Sequence, residues 1–224
     1  DVFIHTNQDT PANMDSTKLQ RVAVIGAASG YFLAAAGPNE VKKLAGEVFA
    51  RGGARRSTAL SKALAETDLQ EAYNDVEQAG QAERAALASI ATLAPESRPL
   101  LDDLVSKSAS RQSDLLATLA VLRGNYVHPE PDLIGRLAPT RNPKVVGNLE
   151  VYYYDYLKDH LPFVPDHQLD STLAYEALNL ADGHRTIAEI RNILSANYSK
   201  VTAQAVYDYF KILEKAEVVK LGRP

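Results

Sequence analysis

Asp182-Gly183-His184-Arg185-Thr186-Ile187-Ala188-Glu189 carries two local signals that fix the elements around it. Leu173, Tyr175, Ala177, Leu178 and Leu180 stand before it at helical spacing, so Asp182-Gly183 reads as a helix followed by a glycine stop. Thr186 and Glu189 then form a capping box. The Thr hydroxyl and the Glu carboxylate can each satisfy a free amide at the start of a helix running to about Tyr198. Downstream, Thr202 can cap a third helix through Val206, Tyr209, Phe210, Leu213 and Ala216, and Val218-Val219-Lys220-Leu221 closes as a short strand. Upstream, Leu149 to Leu157 holds Tyr152, Tyr153, Tyr154 and Tyr156, a cluster able to stack on a ligand but suited also to packing with its hydroxyls outward. Four prolines (Pro129, Pro131, Pro139 and Pro143) interrupt Asn125 to Gly147, which makes that stretch a connector and not a helix.

Further upstream the periodicity is helical throughout. Leu101, Leu104, Val105, Leu115, Leu119 and Leu122 make a stripe that ends at Gly124, and Leu60, Leu64, Leu69, Tyr73, Val76, Leu87, Ile90 and Leu93 make another from Ser57 to Ala94. That second stripe suits one long helix, or two in line with a weak point at Gly80, and Pro95 stops it. The two stripes predict an antiparallel helical hairpin. Before them, Val41, Leu44, Ala45, Val48 and Phe49 predict a helix ended by Gly52-Gly53.

The opening of the chain is different in kind. Val2-Phe3-Ile4 has the look of a strand entered partway along, and His5 to Pro11 reads as the loop at its C-terminal end. Asp15 or Ser16 can cap a helix whose apolar residues, Leu19, Val22, Ile25, Tyr31, Phe32 and Leu33 among them, cover more than one face before Gly37-Pro38. So apolar a helix expects cover on several sides. Thirty-eight residues do not supply it, so this strand and helix are expected to belong to a larger α/β layer, and the chain to be a piece of something longer.

Composition narrows the chemistry. The 224 residues are 46% hydrophobic and 23% charged, which excludes disorder and collagen, and 24 Lys plus Arg against 28 Asp plus Glu leave a formal charge of -4, so no global positive field gathers nucleic acid or anionic membrane. No apolar run in the sequence reaches the length of a membrane span. With no cysteine, any metal must be held by His and carboxylates. None of the self-contained catalytic motifs occurs: no HExxH, GxSxG, P-loop or GxGxxG. His128, His160, His167 and His184 stand apart from each other and from acidic ligand spacing, whereas His5 follows a strand and has Thr6, Asp9 and Thr10 at short fixed distances in its loop.

Ile4-His5-Thr6-Asn7-Gln8-Asp9-Thr10-Pro11-Ala12-Asn13-Met14-Asp15, followed by an apolar helix, resembles the last metal-binding segment of the co-catalytic di-zinc aminopeptidases, the family of bacterial leucyl aminopeptidases related to the glutaminyl cyclases. The resemblance covers roughly the first 38 residues. It implies that His5 binds one of two zinc ions and that Thr6, Asp9 and Thr10 support the loop. The bridging Asp, the other ligands and the general-base Glu of that family would lie upstream, so the chain itself holds no catalytic residue and is expected to hydrolyse no peptide alone. In the parent enzyme the two zinc ions would share a water, lower its pKa and polarise the scissile carbonyl of a peptide substrate. A secreted or periplasmic location follows from the resemblance only.

Three helices and a terminal strand in about fifty residues outline a winged-helix domain. Ser171 to Pro224 carries seven Lys plus Arg and six Asp plus Glu, a net of +1, and Asp208, Glu214 and Glu217 sit on or beside the helix that would meet DNA, so nucleic acid is not the expected partner. The pattern Ala181-Asp182-Gly183, Arg185-Thr186-Ile187, Glu189-Ile190 and Leu213-Glu214-Lys215-Ala216, then Val218-Val219, also resembles the winged-helix peptide-binding modules of the coenzyme PQQ maturation type. That implies docking of a protein partner, or self-association through the tail. The fold expected is therefore mainly α: residues 1–38 end an α/β zinc-peptidase domain, 39–124 form a helical hairpin extension, 125–169 a proline-containing connector with the Tyr-rich segment, and 170–224 a winged-helix-like domain. The rival reading is a non-enzymatic helical and winged-helix interaction module in which the His5 segment is a chance match.

Overall fold

The computed structural model describes residues 6–147, 149–151 and 154–224. Val2-Phe3-Ile4, His5, Tyr152 and Tyr153 therefore lie outside the described residues. The described chain is mainly α, with helices α1 (Ser16–Ala35), α2 (Pro38–Ala65), α3 (Leu69–Ile90), α4 (Arg98–Arg123), α5 (Tyr156–His160), α6 (Ser171–Asn179), α7 (Ile187–Asn197) and α8 (Ala203–Lys215), and short strands β1 (Ala138–Arg141), β2 (Glu150–Val151), β3 (Tyr154–Asp155) and β4 (Val219–Gly222). Contacts divide it into two compact units, one of Asp1–Gly53 with Ala82–Ser110, the other of Ala54–Gln81 with Arg111–Pro224.

In the first unit Asp15 caps α1 through Oδ1, which accepts from the amides of Thr17 and Lys18. No residue of α1 is buried. Val41 and Ala45 of α2 pack with Leu87, Ile90 and Ala91 of α3 and Leu101 of α4. Helix α2 does not stop at Gly52-Gly53 as its sequence suggests; it continues to Ala65. The physical reason is packing. A Cβ on Gly52 would stand 2.2 Å from Cδ of Glu83, a side chain with no exposed surface, so glycine here makes room for a neighbour and does not turn the chain. Helix-forming Ala, Arg and Leu on either side carry the helix through. Gly52→Ala should therefore cost about 1–3 kcal/mol of stability by overpacking, read as a lowered midpoint in thermal unfolding, whereas Gly53→Ala, with nothing within 4 Å of its Cβ, should be neutral or stabilising.

The second unit has two cores. Ala63 of α2, Ala72, Tyr73 and Val76 of α3 and Leu119 of α4 form one. Its edges are tied by side chains: the Tyr73 hydroxyl donates to Gly124 O at 3.0 Å, and Arg123 Nη1 donates to the carbonyls of Ala63 and Leu64 at the end of α2. The helical break falls between α2 and α3, not at Gly80. Asp68 Oδ1 accepts from the amide of Gln70, and Glu66 Oε1 from that of Asp68, so Thr67-Asp68 is the N-terminal punctuation of α3.

The larger core of this unit gathers Leu173, Ala177, Ile187, Ile190, Leu194, Val206, Tyr209, Phe210 and Leu213 from α6, α7 and α8, with Val218 and Val219. The capping box at Thr186 is formed on both sides, and Thr202 caps α8 through the amide of Ala205. Strand β4 pairs antiparallel with β1, Thr140 opposite Lys220. The connector therefore supplies a strand to this core, and Ile134, Leu137, Val145, Leu149 and Tyr156 pack against it. Gly183 has φ +82°, and Thr140 Oγ1 lies 2.8 Å from where its Cβ would be; both the turn and the close approach of β1 require glycine.

Tyr209 is buried in this core, and burial pushes its phenol up from 10.0 to about 12. A raised folded-state pKa for an acid favours the neutral form in the folded protein, so its contribution is fully present below pH 10 and is lost as pH rises to about 12. Between those values about 2–3 kcal/mol should disappear. Tyr209→Phe should flatten that alkaline fall in urea unfolding monitored by circular dichroism.

Candidate functional site

Of the residues singled out in the sequence, His5 lies outside the described residues, and Thr6, Asp9 and Thr10 are exposed. Their loop is held largely by its own groups. Thr6 Oγ1 accepts from the amide of Gln8, Thr6 O from that of Asp9, and Gln8 O from both the amide of Thr10 and the Asn13 side chain. Asp9 thus contributes through its amide, and Asn13, which the sequence did not single out, contributes a side chain. Among the described residues no three His, Asp or Glu side chains stand together in a way that could hold a metal ion. The residues described do not by themselves build a zinc centre.

The other histidines are dispersed. His128 Nε2 lies 2.8 Å from Glu77 Oε1, His160 stacks on Tyr156 with ring centroids 3.7 Å apart, and His167 meets Tyr209 edge to face at 5.0 Å. Each of these three rings has a carboxylate or aromatic neighbour, and His167 Nδ1 is buried without a hydrogen-bond partner among the described residues. The Tyr-rich segment gives no stacking platform among its described side chains, since Tyr156 is engaged by His160 and by the core.

The second unit carries a polar cleft of about 210 Å³ that motif reading did not find. One wall is the end of α2 and the start of α3, with Lys62, Glu66, Glu71 and Asp75; the other is the end of α7 and the turn after it, with Ser195, Tyr198, Ser199 and Lys200. The walls are fastened by a buried ion pair. Arg191 Nη2 donates to Glu71 Oε1, the two side chains being 8% and 7% exposed. Arg191 Nε also donates to Val201 O at 2.9 Å and Nη1 to Asn192 Oδ1 at 3.0 Å. Asn74 adds a bond from Nδ2 to Asn192 O at 2.9 Å.

Toward solvent the pairs are looser. Lys200 Nζ donates to Asp68 Oδ2 and holds that carboxyl below its ordinary value. The Asp68 amide does the same to Glu66. Lys62 Nζ donates to Asp75 Oδ1 at 2.9 Å; half of the lysine side chain is in water, while Asp75 is 6% exposed. The only sequence signal for this cluster is Glu71 and Asp75 four apart among Ala72, Tyr73 and Val76: two acids on a helix face whose neighbours are apolar.

Against known proteins, no family model, no curated protein and no solved structure matches the chain.

Proposed function

We propose that the chain is the C-terminal region of a zinc-dependent aminopeptidase: residues 1–38 close the catalytic α/β domain, and a helical extension and a winged-helix-like tail follow. The observation that carries this reading is α1. A twenty-residue helix with Val22, Val24, Ile25, Tyr31, Phe32 and Leu33 all exposed, Tyr31 by 77%, has no buried face. Covering each such side chain is worth about 1.5–3 kcal/mol. A domain that packs on several sides of the helix directly after the His5 segment answers that need, and it is the domain the His-Thr-x-x-Asp-Thr pattern resembles. Among the described residues no single helix is long and apolar enough to cross a membrane.

The tail fits a docking role better than a phosphate-binding one. Along α8 the Gln204 side-chain amide donates to Asp208 and Lys211 pairs with Glu214, which leaves Lys215 as the helix's other cation and not a cationic stripe. Glu214 Oε1 also accepts from the amide of Leu221 in β4.

The test is turnover of an aminoacyl p-nitroanilide. The 224-residue chain with added zinc should show none. The polypeptide translated continuously from upstream of Asp1 should show zinc-dependent hydrolysis. Turnover by the 224 residues alone would refute the assignment of the remaining ligands and base to an upstream segment, and inactivity of the longer polypeptide would favour the interaction-module reading.

A further inference from the structure

We infer that the cleft floored by Asp75 is a binding site for a primary ammonium group, with the Lys62 side chain occupying the position a ligand amine would take. Three observations lead there. First, Asp75 is 6% exposed and lines the cleft, yet its Oδ2 is shut off from solvent with no hydrogen-bond partner. A buried carboxylate oxygen left unpaired costs about 1–3 kcal/mol, so Lys62 alone does not fill the hydrogen-bonding capacity of the Asp75 carboxylate. Second, the group already on the other oxygen is an ammonium, Lys62 Nζ at 2.9 Å, on a side chain 53% exposed. It is therefore displaceable by a competing amine.

Third, the charge balance of the cleft suits a cation. Lys62 is committed to Asp75 and Lys200 to Asp68, while Glu66 accepts, among the described residues, from the Asp68 amide and the Thr67 hydroxyl and from no cation within bonding distance. An anion would find no free positive partner. A divalent ion would find no set of three converging ligands among the described residues. Ser199 on the opposite wall adds a hydroxyl, while Ser195 Oγ is engaged with the Val201 amide and carbonyl. The site lies in the second unit and stands whether or not residues 1–38 belong to a zinc peptidase.

The experiment is a titration of the ¹⁵N-labelled 224-residue chain, followed at the amides of Ser195 and Ser199, with three chloride salts. These are n-butylammonium, which resembles a lysine side chain, glycinamide, which resembles a peptide amino terminus, and tetramethylammonium, which has the charge without an N–H. Saturable shifts with a primary amine but not with tetramethylammonium are expected, and the tighter of the two amines identifies the source. Asp75→Asn should weaken binding about tenfold or more, as for loss of a charge-assisted bond. Lys62→Ala should tighten it, because the internal competitor is gone; a purely structural Lys62 would not do this. An equal response to tetramethylammonium, or no saturable response in both the unaltered chain and Lys62→Ala, would overturn the inference and leave water as the occupant.

Discussion

Glu71→Ala is expected to lower the stability of the second unit by about 3–5 kcal/mol, the range for removing one partner of a buried ion pair. The reason is what remains. Arg191 would keep its bonds to Val201 O and Asn192 Oδ1 but carry a guanidinium, 8% exposed, with no carboxylate on Nη2. Arg191→Ala should cost as much or more, since it leaves the Val201 carbonyl only the 3.4 Å bond from Ser195 Oγ and leaves the Glu71 carboxylate without its guanidinium. Arg191→Lys keeps charge without the planar fork and should fall between. Replacing both residues at once, Glu71→Leu with Arg191→Met, should cost less than the two single changes added, because neither charge is then left unpaired. Urea unfolding followed by circular dichroism measures all four. Additive losses would mean that the pair is not coupled.

Phe210→Ala is the second large expected loss, about 3–5 kcal/mol for a fully buried aromatic ring. Phe210 has no exposed surface, and it sits in the core built by α6, α7 and α8 with Tyr209 tilted beside it at 5.7 Å. Phe210→Leu conserves more volume and should cost less than half as much. Because β1 and the connector pack on the same core, the Ala variant should also expose the Asn125–Gly147 stretch to proteolysis at protease concentrations that leave the unaltered chain intact. Unchanged proteolysis alongside the stability loss would mean the connector is held independently.

The parts of the fold legible in the sequence are those written in contiguous residues. Asp15 before α1, Thr186 with Glu189 before α7, Thr202 before α8 and Gly124 after α4 each act on amides or carbonyls a few positions away, and each is where local chemistry puts it. Gly52-Gly53 misled because the same residue type serves two ends: a helix stop, and room for a neighbour such as Glu83 that lies 31 positions away. Strand β1 was hidden for a related reason. Ala138-Pro139-Thr140-Arg141 is short and holds a proline, and only its partner, Val219–Gly222, makes it a strand.

The cleft was the least legible of all. Arg191 and Glu71 are 120 positions apart, and Lys200 and Asp68 132, so no spacing rule joins them. A charge among apolar neighbours, as at Glu71 and Asp75, signals that a partner exists without saying which. His5 is the reverse case: the local pattern around it resembles a zinc-ligand segment, while no group of three His, Asp or Glu side chains able to hold a metal stands among the described residues.

The most direct measurement on the aminopeptidase assignment is zinc content and turnover of the polypeptide translated from upstream of Asp1, with and without His5→Ala. If His5 is a ligand of a co-catalytic pair, the unaltered protein should bind two zinc ions per chain, and His5→Ala should retain about one and lose turnover by a hundredfold or more, within the range expected when a catalytic metal site is broken. Equal zinc content and equal turnover in the two proteins would contradict the account and leave the chain as an interaction module.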